Sequence, residues 1–297
     1  SSDTKLFRNE AGQVGLPTSP APGPMGNRTP SEKSTRLPER TNFGNVEETV
    51  KMHRRLGHAG LRKIQNTPSC VQWKHAILRM PSYIDCLACD TTKTKRPPTK
   101  KTQSRLPPGS RCPPVPPRLT GESVKSDVKT LNQSMRGHLH FIVLIHANTR
   151  CTSVFLMKKK SEAADYTMQH LKWSSRQGHD VSEITTDGGG ECTSNKLQTW
   201  LQQQGMTWRP SIARTQEQNG MAERTIQTIM SKTRAMLKHA GLTCGHWCWA
   251  VQCSVHLINR QAHSSLRSHR KGHPITHMTP YEAFYEQQPT LDNLTPF

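Results

Sequence analysis

The stretch LHFIVLIHANTRCTSVFLM (139–157) decides the fold class. Its two halves, 139–146 and 151–157, are rich in β-branched and aromatic residues and are joined by a short polar turn, a pattern typical of a β-hairpin. The sequence that follows predicts a helix at 160–173, a strand at 180–186, a short helix capped by Thr193 or Ser194 and ended by Gly205, a strand at 206–212 and a long helix at 221–240. Strands followed by alternating helices and strands predict a mixed α/β sheet with helices on its faces.

The chain is strongly basic and poor in apolar residues. Its 297 residues include 41 lysines and arginines against 21 aspartates and glutamates, a net charge of +20, and only 32% are hydrophobic. The charge predicts a polyanionic partner, nucleic acid above all. The low apolar content predicts that part of the chain lies outside any core. The longest apolar run is FIVLI (141–145), far short of the roughly 20 residues that span a membrane, so no membrane partner is expected.

The N-terminus and the cysteines predict an intracellular fragment. The chain begins SSDTKLFRNE, without an initiator Met or an apolar signal region, as expected of a piece of a longer chain. Nine cysteines without a secretory signal predict reduced thiols rather than a disulfide scaffold.

Two proline-rich stretches divide the chain. Residues 1–48 lack a periodic apolar pattern and predict a disordered linker. Residues 93–118 contain eight of the 21 prolines and predict a second, extended linker. Its basic part, 93–105, predicts DNA binding or a nuclear signal. The alternative is that these charges only keep the linker soluble. The resulting prediction is a small module at 49–92, a large α/β domain at 119–262 and a C-terminal extension at 263–297.

Two histidines and two cysteines make the small module a candidate zinc site. His53 and His58 are followed, after 27 residues, by Cys86 and Cys89. Two imidazoles and two thiolates are a ligand set of structural Zn²⁺, and the Cys-x2-Cys spacing lets one turn present both sulfurs to one ion. Gly57 is expected to break the helix so that both histidines face the metal. The alternative is four unrelated residues in a loop, but the complete quartet favours zinc, which would stabilise a module with little core of its own.

Three carboxylates are candidates for a catalytic metal site, because metal-assisted phosphoryl transfer needs carboxylates that converge from different elements. Asp187 follows a predicted strand and precedes three glycines, and Glu223 opens the long helix with 35 residues between them. Asp127 lies shortly before the hairpin. The spacing alone proves little, so the prediction rests on these contexts. The alternative for each residue is a solvated surface charge.

Six motifs carry a resemblance to a known family. They are MHRRLGH (52–58), CLAC (86–89), TTDGGGE (185–191), TQEQNGMAER (215–224), WAVQCSVHLINR (249–260) and TPYEAF (279–284). In this order, from about residue 49 to the end, the chain resembles the integrase region of copia-type retrotransposon Pol polyproteins. The resemblance implies an N-terminal zinc module followed by a ribonuclease-H-like catalytic core.

The resemblance also implies an Asp-Asp-Glu triad, which the motifs map to Asp127, Asp187 and Glu223. In this interpretation the triad binds two Mg²⁺ ions, or Mn²⁺ in their place, with Asp127 bridging them. The implied reaction is strand transfer, in which a 3′-hydroxyl of the element's cDNA attacks a phosphodiester of host DNA.

Further residues near Glu223 are predicted to contact DNA. Arg224, Arg234 and Lys238 lie at or along the helix of Glu223 and are placed to contact phosphates without reading sequence. Gln218 and Asn219 are expected in a mobile loop that presents DNA ends. The alternative for these two is an ordinary turn before a helix.

The sequence supports two candidate functions of different classes, an enzyme and a nucleic-acid-binding protein. The first is an active integrase, a homo-oligomer of at least two subunits that works in the nucleus after a cytoplasmic particle stage. The second is a decayed or co-opted DNA-binding protein that no longer catalyses. Lys129 and Thr130 stand where the family has Gly-Pro, and 146–150 lacks the family's acidic residues, which favours the second. The intact triad favours the first. A ribonuclease or resolvase of the same fold fits the zinc module and TQEQNGMAER poorly.

Overall fold

The computed structural model describes residues 46–72, 81, 83–93, 122–186, 195–210, 216–268, 276–291, 294, 295 and 297. These residues belong to one compact unit. The helices are α1 (Val46–Arg55), α2 (Leu61–Asn66), α3 (Leu87–Thr92), α4 (Ala163–Arg176), α5 (Asn195–Gln203), α6 (Gln216–His239), α7 (Trp247–Asn259) and α8 (Pro280–Tyr285). The strands are β1 (Glu122–Thr130), β2 (His140–His146), β3 (Thr152–Met157), β4 (Val181–Thr186), β5 (Thr207–Pro210), β6 (His263–Ser268) and β7 (Thr276–Met278).

Five of the strands form one mixed sheet in the order β3-β2-β1-β4-β5. β1, β2 and β3 are antiparallel neighbours, whereas β1, β4 and β5 run parallel. The predicted hairpin is therefore the β2–β3 pair, and the predicted mixed α/β sheet is confirmed. The arrangement is that of the ribonuclease-H-like fold, with an antiparallel half that leads into a parallel half.

The two faces of the sheet are covered by different helices. On one face Phe141, Val143 and Ile145 of β2 pack with α6 and α7. On the other face Ile142 and Leu144 pack with α4 and α5. Because β2 is covered on both sides, its side chains from 141 to 145 are apolar without interruption, which is why FIVLI is a continuous hydrophobic run between two histidines.

Side chains of β1 point alternately to the two faces of the sheet, and two polar ones lie on the face that α6 covers. Asp127 pairs with Val143 and Lys125 pairs with Ile145 across the antiparallel ladder. Directly opposite residues point to the same face, so both polar side chains lie on the face that α6 covers. Val124, the residue before Lys125, points to the other face and is fully buried there.

The small module has its own core, which the C-terminal segment completes. Leu56, Ile64 and Val71 pack together with Leu291 from the far end of the chain. The backbone of Gln72 donates to the carbonyl of Pro289 and accepts from the amide of Leu291. The segment predicted as a C-terminal extension thus supplies part of the module's core.

Within the described ranges, none of the helices is long and apolar enough to cross a membrane.

Candidate catalytic site and metal centre

The four predicted zinc ligands converge in the small module. The ligand atoms of His53, His58, Cys86 and Cys89 all lie within 4.8 Å of one another. His53 Nε2 lies 3.1 Å from His58 Nδ1 and 3.3 Å from Cys89 Sγ. His58 Nδ1 lies 3.4 Å from Cys86 Sγ and 3.6 Å from Cys89 Sγ. The chain therefore places two nitrogens and two sulfurs around one point.

A sharp turn brings the two histidines together. α1 ends at Arg55, and both Gly57 and His58 adopt left-handed backbone conformations, with φ of +62° and +57°. This turn reverses the chain so that His58 returns beside His53, as expected from Gly57. The two cysteines flank the first turn of α3, where the amide of Cys89 donates to the carbonyl of Cys86.

The donor set and its spacing fit a tetrahedral zinc ion. Zn–N bonds near 2.0 Å and Zn–S bonds near 2.3 Å separate ligand atoms by about 3.3–3.8 Å, close to the separations in the quartet. His53 Nδ1 donates to the carbonyl of Ala59 at 2.8 Å, which leaves the Nε2 lone pair free to face an ion. Burial lowers the pKa of His53 to about 4 and of His58 to about 3. Both rings are therefore neutral near pH 7, the form that binds metal.

The structure describes two of the three predicted triad members. Asp127 lies in β1, half-buried, and Glu223 is exposed on α6, which packs against β1. Asp187 lies outside the described residues. However, Thr186, the residue before it, pairs in parallel with Ser126, the residue before Asp127.

α6 begins earlier than the sequence predicted. It starts at Gln216 and includes Gln218 and Asn219, so the predicted loop at these two positions was wrong. Gln and Glu favour helix, and Gly220 costs about 1 kcal/mol in a helix interior without ending it. Arg224, Arg234 and Lys238 are all exposed on α6, as the prediction of phosphate contacts requires.

An ion-pair network beside Asp127 was missed by the sequence analysis. Glu183 of β4 accepts from Arg209 Nε at 3.0 Å and lies 3.6 Å from Lys125 Nζ. Lys125 Nζ also donates to Thr185 Oγ1 at 2.6 Å. The network lies on the same face of the sheet as Asp127, and its Lys125 precedes Asp127 by two residues in β1. The sequence contained one signal for this network, because Lys125 and Asp127 lie two positions apart in β1 and therefore on one face of the sheet.

A second polar cluster lies where β1 begins, away from the end of β4. Glu122 lies 3.1 Å from His146 Nδ1 and, through its second oxygen, 3.1 Å from His179 Nδ1. His146 Nε2 lies 3.1 Å from His170 Nε2. His179 Nε2 donates to the carbonyl of Phe284 at 2.8 Å. In the sequence, His146 stood out only as a departure from the family. Glu122, His170 and His179 come from distant segments, so no local pattern predicted that they would meet.

The chain is similar to segments of plant retrotransposon polyproteins, while no family model matches it. It is 31% identical over 129 residues to the retrovirus-related Pol polyprotein from transposon TNT 1-94 of Nicotiana tabacum, covering 43% of this chain and 10% of the polyprotein. It is 25% identical over 165 residues to that from transposon RE2 of Arabidopsis thaliana, covering 55% and 11%. The resemblance predicted from the motifs is thereby confirmed. The chain spans about a tenth of the length of these relatives.

Two integrase core domains are among the solved structures to which the chain is similar. The catalytic core domain of BIV integrase is 17% identical with a TM-score of 0.39, covering 55% of this chain and 93% of that one. The HTLV-2 integrase catalytic core domain in complex with magnesium is 16% identical with a TM-score of 0.38, covering 55% and 94%.

Proposed function

We propose that this chain is a retrotransposon integrase that joins element cDNA to host DNA by strand transfer. The observation that carries the proposal is the parallel pairing of Ser126 with Thr186. In the sequence, Asp127 and Asp187 each come directly after one of the two paired residues. α6, which carries Glu223, packs against the strand that contains Asp127. Carboxylates that converge from different elements are what a two-metal phosphoryl-transfer site requires, and this pairing supports such a convergence.

The proposed site would hold divalent cations through carboxylate oxygens, which Mg²⁺ prefers. Asp127, Asp187 and Glu223 would hold magnesium, or manganese in its place, and the chemistry supplied on binding is activation of a DNA 3′-hydroxyl and stabilisation of the leaving oxygen. The hydroxyl oxygen bonds to the target phosphorus as the bond to the target 3′-oxygen breaks, so no covalent protein intermediate forms. Arg224, on the turn that carries Glu223, would contact the flanking phosphate backbone.

The quartet would hold one zinc ion, with a structural role. Four protein ligands leave no open position for a reacting molecule. Such an ion would fix the turn at Gly57 and the first turn of α3 to each other. The small module would then be stabilised by metal in addition to its limited apolar core.

The proposed partners are DNA and further copies of the chain. The net charge of +20 favours binding to nucleic acid, and joining two cDNA ends to one target requires at least two active sites. The proposed place of action is the nucleus, after a cytoplasmic particle stage.

Reversal of strand transfer on a branched oligonucleotide tests the proposal, because this reaction depends little on the element's terminal sequence. Wild type, Asp187→Asn and a matched control, Asp180→Asn at an exposed position, are compared in Mg²⁺ and in Mn²⁺. We expect metal-dependent resolution by wild type and by the control, and at least about 100-fold less by Asp187→Asn. Binding to the same oligonucleotide should stay within about twofold for all three.

The second candidate is a DNA-binding descendant without catalysis. His146, at the end of β2, stands where the family has acidic residues, and its ring is fully buried in the polar cluster with Glu122. No resolution in either metal, with salt-sensitive DNA binding retained, would favour this candidate. Equal loss of binding and resolution in Asp187→Asn would contradict the assigned triad.

A further inference from the structure

A buried lysine joins α6 to the small module. Lys232 is 5% exposed, and it lies on the same helix as Glu223, two and a half turns further on. Its Nζ donates to the carbonyl of Leu56 at 2.8 Å and to the carbonyl of Gly57 at 3.2 Å. Both acceptors belong to the turn that follows α1.

The same turn also contacts α7 and the residues that follow α7. Gln261 Nε2 donates to the carbonyl of Leu56 at 2.6 Å. Gly57 packs so closely on α6 and α7 that an added Cβ would lie 2.8 Å from Leu257 Cδ1 and 3.3 Å from Met236 Sδ. The turn is therefore enclosed by the helices of the large domain, and a bulky side chain would not fit there.

This turn also determines where the quartet lies. Gly57 directly precedes His58, and the two consecutive left-handed residues set the direction of the His58 ring. Lys93 Nζ donates to the carbonyl of His58, and the His58 ring lies 5.1 Å from the ring of His239 at the end of α6. The carbonyls that Lys232 binds are thus one and two residues from a metal-ligating position.

We propose that Lys232 is a positioning residue that couples metal binding at the quartet to the order of α6. The coupling is reciprocal: an ordered turn gives the Lys232 amino group two acceptors, and loss of the turn leaves a buried donor without them. An unsatisfied buried donor is costly, so α6 loosens around Lys232 when the turn does. The consequence for Glu223 rests on the proposed function, whereas the coupling itself does not.

Hydrogen exchange with and without zinc tests the coupling. In wild type, removal of zinc by a chelator should raise amide exchange both in the module and in α6 around residue 232, by about tenfold or more. In Lys232→Met, which keeps the stem and removes the donor, chelation should raise exchange in the module alone. Lys238→Met, at an exposed position of the same helix, should respond like wild type.

Zinc release measured with a chromogenic chelator gives a second readout. We expect about tenfold faster release from Lys232→Met, the effect of losing one or two hydrogen bonds. Lys232→Arg, which retains donors, should recover part of the wild-type rate. If Lys232→Met does not fold, Gln261→Leu removes the other donor to Leu56 and should weaken the response of α6 in the same direction.

An α6 that exchanges equally with and without zinc in wild type would overturn the proposal. So would a Lys232→Met protein whose α6 still responds to chelation as wild type does. Neither readout requires turnover, so an inactive protein with the coupling intact would contradict only the proposed function.

Discussion

His146 and His170 face each other through their Nε2 atoms at 3.1 Å, and both rings are buried between β2 and α4. One nitrogen must donate and the other accept in this contact. Burial, and then the neighbouring His146, lower the pKa of His170 well below its ordinary value. Burial at this contact therefore opposes uptake of a proton by His170 in the folded state.

We expect folding stability to decrease as the pH falls through about 6.5. Below that pH the unfolded chain binds a proton on His170 and the folded chain does not, so acidification favours unfolding, by up to about 1.4 kcal/mol per pH unit for this group. Urea unfolding between pH 7.5 and 5.5 measures the effect. His170→Gln, which retains a donor toward His146, should show a shallower dependence, and an identical slope in both proteins would contradict the assignment.

The turn at Gly57 should not tolerate a side chain. Gly57→Ala combines a positive φ with an approach of 2.8 Å to Leu257 Cδ1, and we expect a loss of about 1–3 kcal/mol in the free energy of unfolding. Gly60 has a φ of −69° and open space around it. Gly60→Ala should therefore stay within about 0.5 kcal/mol of wild type. Similar losses from both substitutions would argue against the docked turn.

The quartet should bind zinc at about one ion per chain. Cys89→Ser removes one sulfur ligand, so elemental analysis should find most of the zinc lost, and the thermal midpoint should fall as the metal's contribution to folding disappears. Cys244, an exposed cysteine in the large domain, supplies the control. Cys244→Ser should retain zinc and midpoint; a zinc-free wild type that folds normally in chelator would refute the site.

Basic residues on α6 should bind phosphates without regard to sequence. Arg234→Gln should weaken binding to unrelated duplexes alike and reduce the slope of log K against log salt by about one. Arg176 is exposed at the end of α4, on the opposite face of the sheet. Arg176→Gln should leave affinity and slope unchanged, and a loss confined to one DNA sequence would contradict a phosphate contact at Arg234.

Local patterns predicted much of this molecule. The hairpin was readable because β2 is covered on both faces and so is uniformly apolar. The quartet was readable because Cys86 and Cys89 lie in one helical turn and because metal chemistry restricts its ligands to a few residue types. The break in the helix was predicted from the position of Gly57 between the two histidines, whereas the left-handed conformation of His58 was not.

Other features depend on contacts between distant segments. Lys232 has the appearance of an ordinary charged residue on a long helix, and only packing against the small module buries it. Glu122 and His170 are brought together by the sheet and α4, not by any spacing in the sequence. The start of α6 was placed five residues late because Gly220 suggested a turn, although the surrounding Gln and Glu residues favour helix.

The contact between Leu291 and the core of the small module joins segments that are far apart in the sequence. Leu291 is 1% exposed and packs with Leu56, Ile64 and Val71, so the core of the small module lacks one of its walls until residue 291 has been synthesised. The four candidate zinc ligands thus leave the ribosome well before the segment that completes the core beside them. A proteolytic cut between residues 72 and 289 would leave the module joined to that segment by non-covalent contacts alone, so the position of such a cut would affect the stability of the module.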